Sequence, residues 1–184
     1  VARSILKSLA VMLCLAAAPA AADMAKPEGM VILTVAGNVG ETNRGPAGAE
    51  DWTLMAELEL TFDKAVEFDA AMLDALDQSQ MQVPVPGGAG MATFTGPSVA
   101  ALLKAVGAQG KGIRAVAFDN FSAEISADLI AQFDPIVATR MDGRPLPLGG
   151  RGPAMIVFPD GKTPEQVEQF KPLQVWAMFY ISVD

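Results

Sequence analysis

The sequence predicts an α+β domain with a mixed β-sheet and several short helices, and three observations carry that prediction. Short apolar runs rich in Val, Ile and Thr recur along the chain and are broken by Gly and Pro. Between them lie segments of helical spacing opened by Ser, Thr or Asp. No internal repeat or low-complexity linker divides the chain, and a hydrophobic content of 51% suffices for one sizeable core.

The first residues read as a leader. Arg3 and Lys7 precede an apolar stretch over residues 9–18, and Ala20-Ala21-Ala22 offers an Ala-x-Ala site before Asp23. This is the plan of a secretory signal peptide over residues 1–22. The stretch is shorter than the roughly 20 apolar residues of a membrane-spanning helix. Leu13 stands where a lipoprotein signal needs a small residue, so Cys14 belongs with the leader. The expected mature protein is periplasmic and consists of one domain, residues 23–184.

Residues 30–36 form a β-branched apolar run stopped by Gly37, which predicts a buried strand. Residues 40–48 hold Asn43, Arg44 and Pro46 between glycines and read as a loop. Residues 52–62 fit two readings. Leu54, Ala56, Leu58 and Leu60 alternate as in a strand, whereas Thr53 followed by Ala56 and Glu57 opens a helix. Residues 68–76 predict a helix with Asp69 as N-cap and Met72, Leu73 and Leu76 on one face. Residues 81–85 predict a strand ended by Pro86-Gly87-Gly88, and residues 95–97 a turn. Ser98 caps a helix over residues 99–106 that stops at Gly107.

Residues 113–118 predict a strand with residues 123–125 pairing nearby, and Ser126 and Asp128 start a helix reaching Phe133. Residues 136–139 are the next strand, followed by the turn Met141-Asp142-Gly143-Arg144 and a Pro/Gly-rich loop to Pro153. Residues 154–158 form an apolar strand. Residues 163–170 form a short helix with Pro164 in its first turn, and residues 174–183 the closing strand.

Composition excludes whole classes of chemistry. The chain carries 13 basic and 21 acidic side chains, a net charge of −8, and the leader removes bases only. That field repels nucleic acid and anionic lipid, so the expected partner is a small molecule or a protein. Cys14 is the one cysteine and there is no histidine. The mature chain therefore has no disulfide, no thiolate–metal bond and no Ser-His-Asp or Cys-His machinery. No loop of alternating acidic positions ends in Glu, and no protein-ligated metal is expected. The 10 methionines are scattered, which fits core filling rather than a copper carrier.

Several landmarks then follow in order. They are Leu33-Thr34-Val35-Ala36-Gly37, Thr42-Asn43-Arg44-Gly45-Pro46, Phe68-Asp69 with Met72-Leu73, and Leu102-Leu103-Lys104-Ala105-Val106-Gly107-Ala108. Val116-Ala117-Phe118-Asp119-Asn120-Phe121, Ala138-Thr139-Arg140-Met141-Asp142-Gly143-Arg144-Pro145-Leu146, Gly152-Pro153, and Val175-Trp176 with Tyr180-Ile181 complete the series. The order resembles the oxidoreductase molybdopterin-binding domain, the fold of the sulfite oxidase catalytic domain. It is most similar to a small exported single-domain branch of that superfamily, over nearly the whole mature chain.

The resemblance implies the fold, and the departures from it shape the function. Catalytic members hold molybdenum through a cysteine thiolate, which the mature chain lacks. Members with the full cofactor carry an arginine two residues after the proline of the Gly-x-Pro-x-Arg segment, where this chain has Met155. Some members of the small exported branch bind reduced pterins without metal and signal to a membrane-bound cyclic-di-GMP enzyme. The resemblance thus implies a binding protein for a pterin or molybdopterin-like ligand without a thiolate-anchored molybdenum. Its alternative is a molybdopterin-dependent oxidoreductase, and a third reading is an interaction domain that lost its pocket.

A pterin site needs an aromatic or guanidinium face, a carboxylate for the amino-pyrimidine edge and amide groups for the carbonyl. The candidates are Asn43 and Arg44 in the first loop, Trp52 beside it, Asp119-Asn120-Phe121 after a strand, Arg140 and Asp142 around the next turn, and Arg151 before Gly152-Pro153. Each has a plainer reading. Asn43 and Asn120 suit turns, Arg140 pairs with Asp142 to fix a loop, and Arg151 is a solvated loop cation. Trp176, with Val175, Ala177 and Phe179 beside it, reads as core.

Overall fold

A computed structural model of the protein describes residues 24–48, 53–85, 87–88 and 90–184. In chain order the strands are β1 (Val31–Gly37), β2 (Ala65–Asp69), β3 (Gln78–Pro84), β4 (Met91–Pro97), β5 (Ile113–Ala117) and β6 (Ser122–Ile125). They continue with β7 (Ile136–Ala138), β8 (Arg140–Met141), β9 (Arg144–Pro145), β10 (Met155–Val157) and β11 (Met178–Val183). The helices are α1 (Leu54–Glu57), α2 (Ala70–Asp74), α3 (Val99–Ala105), α4 (Ala127–Phe133) and α5 (Pro164–Phe170).

The central sheet runs β2-β1-β11-β5-β6. It is mixed because β1 and β11 pair parallel, Thr34 opposite Tyr180, while the other pairings are antiparallel. β1 reads as a continuous apolar run because both faces of this inner strand are covered. Gly37 ends it with φ +90°, and a Cβ there would sit 2.4 Å from the Val183 carbonyl oxygen. Only glycine lets β1 and β11 close so tightly at this end.

Alternation along the strands sorts the core into two sides. Leu33, Val35, Ile113, Ala115, Ile181 and Val183 face the main core with Leu102 and Leu103 of α3. Ala36, Val116 and Tyr180 face the other side, closed by Leu60 and Phe62 with Met55 of α1. The smaller sheets, β3-β4-β8-β9 and β10-β7, meet where residues 136–142 run beside β4. Thr139 N–H donates to the Thr95 carbonyl at 2.9 Å and Asp142 N–H to that of Thr93 at 2.8 Å. A third apolar cluster, including Phe94, Ile136, Met155 and Val157, fills this junction.

Helix starts follow their caps. The side chains of Thr53, Asp69, Ser98, Ser126 and Thr163 each accept a backbone N–H of the first turn. The structure differs from the sequence reading at several points and decides one that was left open. It has several sheets rather than one. Phe68 belongs to β2, so the helix begins at Ala70. Residues 95–97 are not a turn but the end of β4, paired to β3 from Gln78↔Pro97 onward. Of the two readings of residues 52–62, the helix holds for Leu54–Glu57. The closing strand starts at Met178, because Ala177 has φ +47° and breaks the extended path before it.

Candidate functional site

A cavity of about 660 Å³ opens where the β3–β4 hairpin, the β5–β6 turn, the chain after β10 and the end of α5 converge. Its size falls in the usual range for small-molecule sites. Phe158 and Phe170, stacked at 4.7 Å between centroids, line it from the core side. Phe170 in turn meets Phe133 edge-on at 4.8 Å, so this wall is held by packing on α4.

The β5–β6 turn supplies one rim. Asn120 has φ +68°, a conformation Asn tolerates, and its N–H donates to the Ala117 carbonyl at 3.1 Å. Asp119 Oδ1 accepts the Phe121 N–H at 3.0 Å, fixing the turn. The result places Asp119 and Phe121 on the cavity, with the Phe121 ring 48% exposed. Phe118 points elsewhere and stacks on Phe179 at 4.7 Å.

Trp176 supplies a second aromatic side chain. The left-handed Ala177 donates its N–H to the Arg151 carbonyl at 2.8 Å and accepts the Phe118 N–H at 3.1 Å. That break turns Trp176 out of the sheet line, 39% exposed and bordering the cavity. The Arg151 guanidinium lies 4.3 Å from the ring centroid, a cation–π contact. A Cβ at Gly87 would lie 3.2 Å from the indole Cη2, so the β3–β4 tip touches the ring edge. Asp160, Lys171 and Gln174 complete the polar border. Lys171 forms an ion pair with Glu168, whereas the buried Gln174 Oε1 has no hydrogen-bond partner among the described residues.

Among the described residues, Asn43, Arg44, Arg140 and Asp142 do not join Asp119 and Phe121 there. Asn43 staples the loop to β2: its Nδ2 donates to the carbonyls of Ala25 and Glu67, both at 2.9 Å, and its Oδ1 accepts the Glu67 N–H at 2.7 Å. Arg44 pairs with Glu67 at 2.5 Å and lies 5.3 Å over the Phe62 ring. Arg140 borders a separate cavity of about 300 Å³ with Ile32, Leu146 and Pro153. Its partner is not Asp142 but Asp74, bound through both guanidinium nitrogens, with Nη2 to Oδ2 at 2.7 Å. That hydrogen bond holds the Asp74 carboxyl below its usual range. Asp142 instead takes φ +49° in the β8–β9 turn and accepts the Thr93 N–H at 2.9 Å. Trp52 lies outside the described residues.

Sequence reasoning did not place Trp176 and Gln174 on the cavity, because their positions depend on the turn at Gln174 and the left-handed Ala177, which no local pattern announces.

No protein-family model matches the chain, and no curated protein matches it. Among solved structures it is similar to the sulfane dehydrogenase SoxCD from Paracoccus pantotrophus, with a TM-score of 0.52 and 14% identity. The match covers 83% of this chain and 38% of that one. The chain thus shares a mixed α+β fold with part of that structure.

Among the described residues there is no thiolate to anchor a molybdenum. The one cysteine, Cys14, lies outside the described residues, and no group of three or more His, Cys, Asp or Glu is placed to hold a metal among the described ones. Met155, which stands where the resemblance expects an arginine, is fully buried in β10. The side chains of Trp176, Asp119 and Gln174 border one cavity.

Proposed function

We propose that this chain is a binding protein for a pterin-like small molecule, held in the larger cavity without a thiolate-anchored molybdenum. The observation that carries the reading is the convergence of Trp176, Phe121, Asp119 and Gln174 on that cavity. Trp176 and Phe121 offer faces to a flat bicycle. Asp119 offers a carboxylate to its amino-pyrimidine edge, and Gln174 an amide to its lactam. The largely apolar lining leaves few competing polar groups, so these contacts strengthen once a ring fills the cavity and displaces its water. The leader-like start adds a periplasmic location to the proposal, and a membrane-bound cyclic-di-GMP enzyme is the proposed receiver of the signal.

The fold match to an oxidoreductase favours one second reading, a molybdopterin-dependent enzyme. It requires the metal to be held by the cofactor's own sulfur and oxygen atoms. Fluorescence titration with tetrahydropterin, alongside elemental analysis, separates the two. The binding reading predicts saturable affinity that drops about tenfold or more in Trp176→Ala and in Asp119→Ala, consistent with lost stacking and charge-assisted hydrogen bonding. Arg140→Ala, which alters the other cavity, leaves that affinity unchanged. Unaltered affinity in both cavity variants contradicts the placement, and stoichiometric molybdenum favours the enzyme.

A further inference from the structure

We infer that Gln174 is the specificity-determining residue of the larger cavity, selecting ligands that present a ring N–H; this rests on the small-molecule reading above. Gln174 follows the 3-10 turn Lys171–Leu173 with φ −83° and ψ 78°. The Val175 N–H donates to the Leu173 carbonyl at 3.1 Å, so Gln174 is the central residue of an inverse γ-turn. On its far side the Ile156 N–H donates to the Val175 carbonyl at 3.0 Å, and Val175 is fully buried. The backbone is therefore held on both sides, and the side chain borders the cavity by construction.

The other polar groups differ in how they are occupied. Asp119 is committed in part to its own turn, and Lys171 to Glu168. The Gln174 oxygen is sealed from water with its acceptor unfilled among the described residues. A buried acceptor without a donor is costly, and the cost is relieved only by a donor that reaches it. In the empty protein the oxygen stays sealed; the terminal torsion of glutamine is broad, so a ligand N–H at the cavity wall draws the oxygen out without backbone movement. A ligand with a lactam N–H then completes the pair. An N-alkylated analogue leaves the oxygen orphaned and adds a methyl against it. Discrimination of this kind is larger than any gained from apolar contact alone.

Two measurements on the full chain test this. Calorimetry compares lumazine, which has two ring N–H groups, with 1,3-dimethyllumazine, which has none. Melting of the ligand-free protein compares wild type with Gln174→Met, a change of similar volume that removes the oxygen. Wild type is expected to prefer lumazine by about tenfold or more, and Gln174→Met to bring the ratio near one. The variant is also expected to melt about 2–4 °C higher when empty, because an unfilled polar group is gone. A preference unchanged in Gln174→Met overturns the inference while leaving the small-molecule reading intact. A lower melting temperature of the empty variant overturns it independently, by showing the amide already satisfied. Binding of neither compound, nor of tetrahydropterin, by wild type removes the reading and the inference together.

Discussion

Asp69 shows how much one side chain holds in this fold. It is buried at the end of β2, caps α2 through the Met72 N–H at 2.9 Å, and accepts the N–H groups of Glu28 and Gly29 at 2.9 and 2.7 Å. The Met72 and Gly29 bonds hold its carboxyl below the usual range, against burial, which pushes it up. A depressed folded-state value means stability that is present above the unfolded value, about pH 4. It is lost as pH falls below that value through the folded one. Wild type is expected to melt well above Asp69→Asn at pH 6, and the gap between the two to narrow progressively as pH falls below about 4. Asp69, Ser98 and Ser126 were legible as caps because a short polar side chain before an apolar helical pattern has a local cause. Trp176 was not legible as a surface ring, because its exposure depends on the left-handed Ala177 next to it and on contacts with Arg151 and Gly87.

Among the elements, β4 carries the junction between the smaller sheets. A Cβ on Gly96 would lie 1.9 Å from the Val137 carbonyl oxygen, a backbone atom with no freedom to move aside. Gly96→Ala is expected to destabilise the fold by about 3 kcal/mol or more, measured by urea unfolding, at the upper end for overpacking. By contrast, Arg140→Ala breaks an ion pair whose partners are 31% and 38% exposed, and is expected to cost less than about 1 kcal/mol. The same glycine explains why β4 escaped a sequence reading. Thr95-Gly96-Pro97 has the composition of a turn, yet here Gly answers a close approach that only the folded neighbours create. β2 was hidden similarly, since Phe68 and Asp69 merge with the helical pattern that follows. The pairing of β5 with β6 and the turn at Asp142-Gly143 were legible, because Asp-Asn and Asp-Gly turns are local chemistry, whereas the two-residue strands β8 and β9 are too short to show in the sequence.

For the molecule as a whole, the ends of the described chain form the middle of the sheet, and the cavity lies where four separate segments meet. No local motif contains such a site, which is why the sequence gathered candidates from several loops while the structure unites only some of them. Ligand bound to the folded state alone raises its stability by mass action, about 2.7 kcal/mol at one hundred times Kd. Tetrahydropterin at that excess is expected to raise Tm by about 5–10 °C in a thermal melt, and to have little effect on Trp176→Ala.

The most direct test is native mass spectrometry, with elemental analysis, of protein gently purified from the periplasm of a pterin-making bacterium. The account predicts about one pterin per chain, molybdenum far below one atom per chain, and loss of the pterin in Trp176→Ala. One molybdenum atom per chain would contradict it. So would a chain that carries no pterin and takes none up on titration.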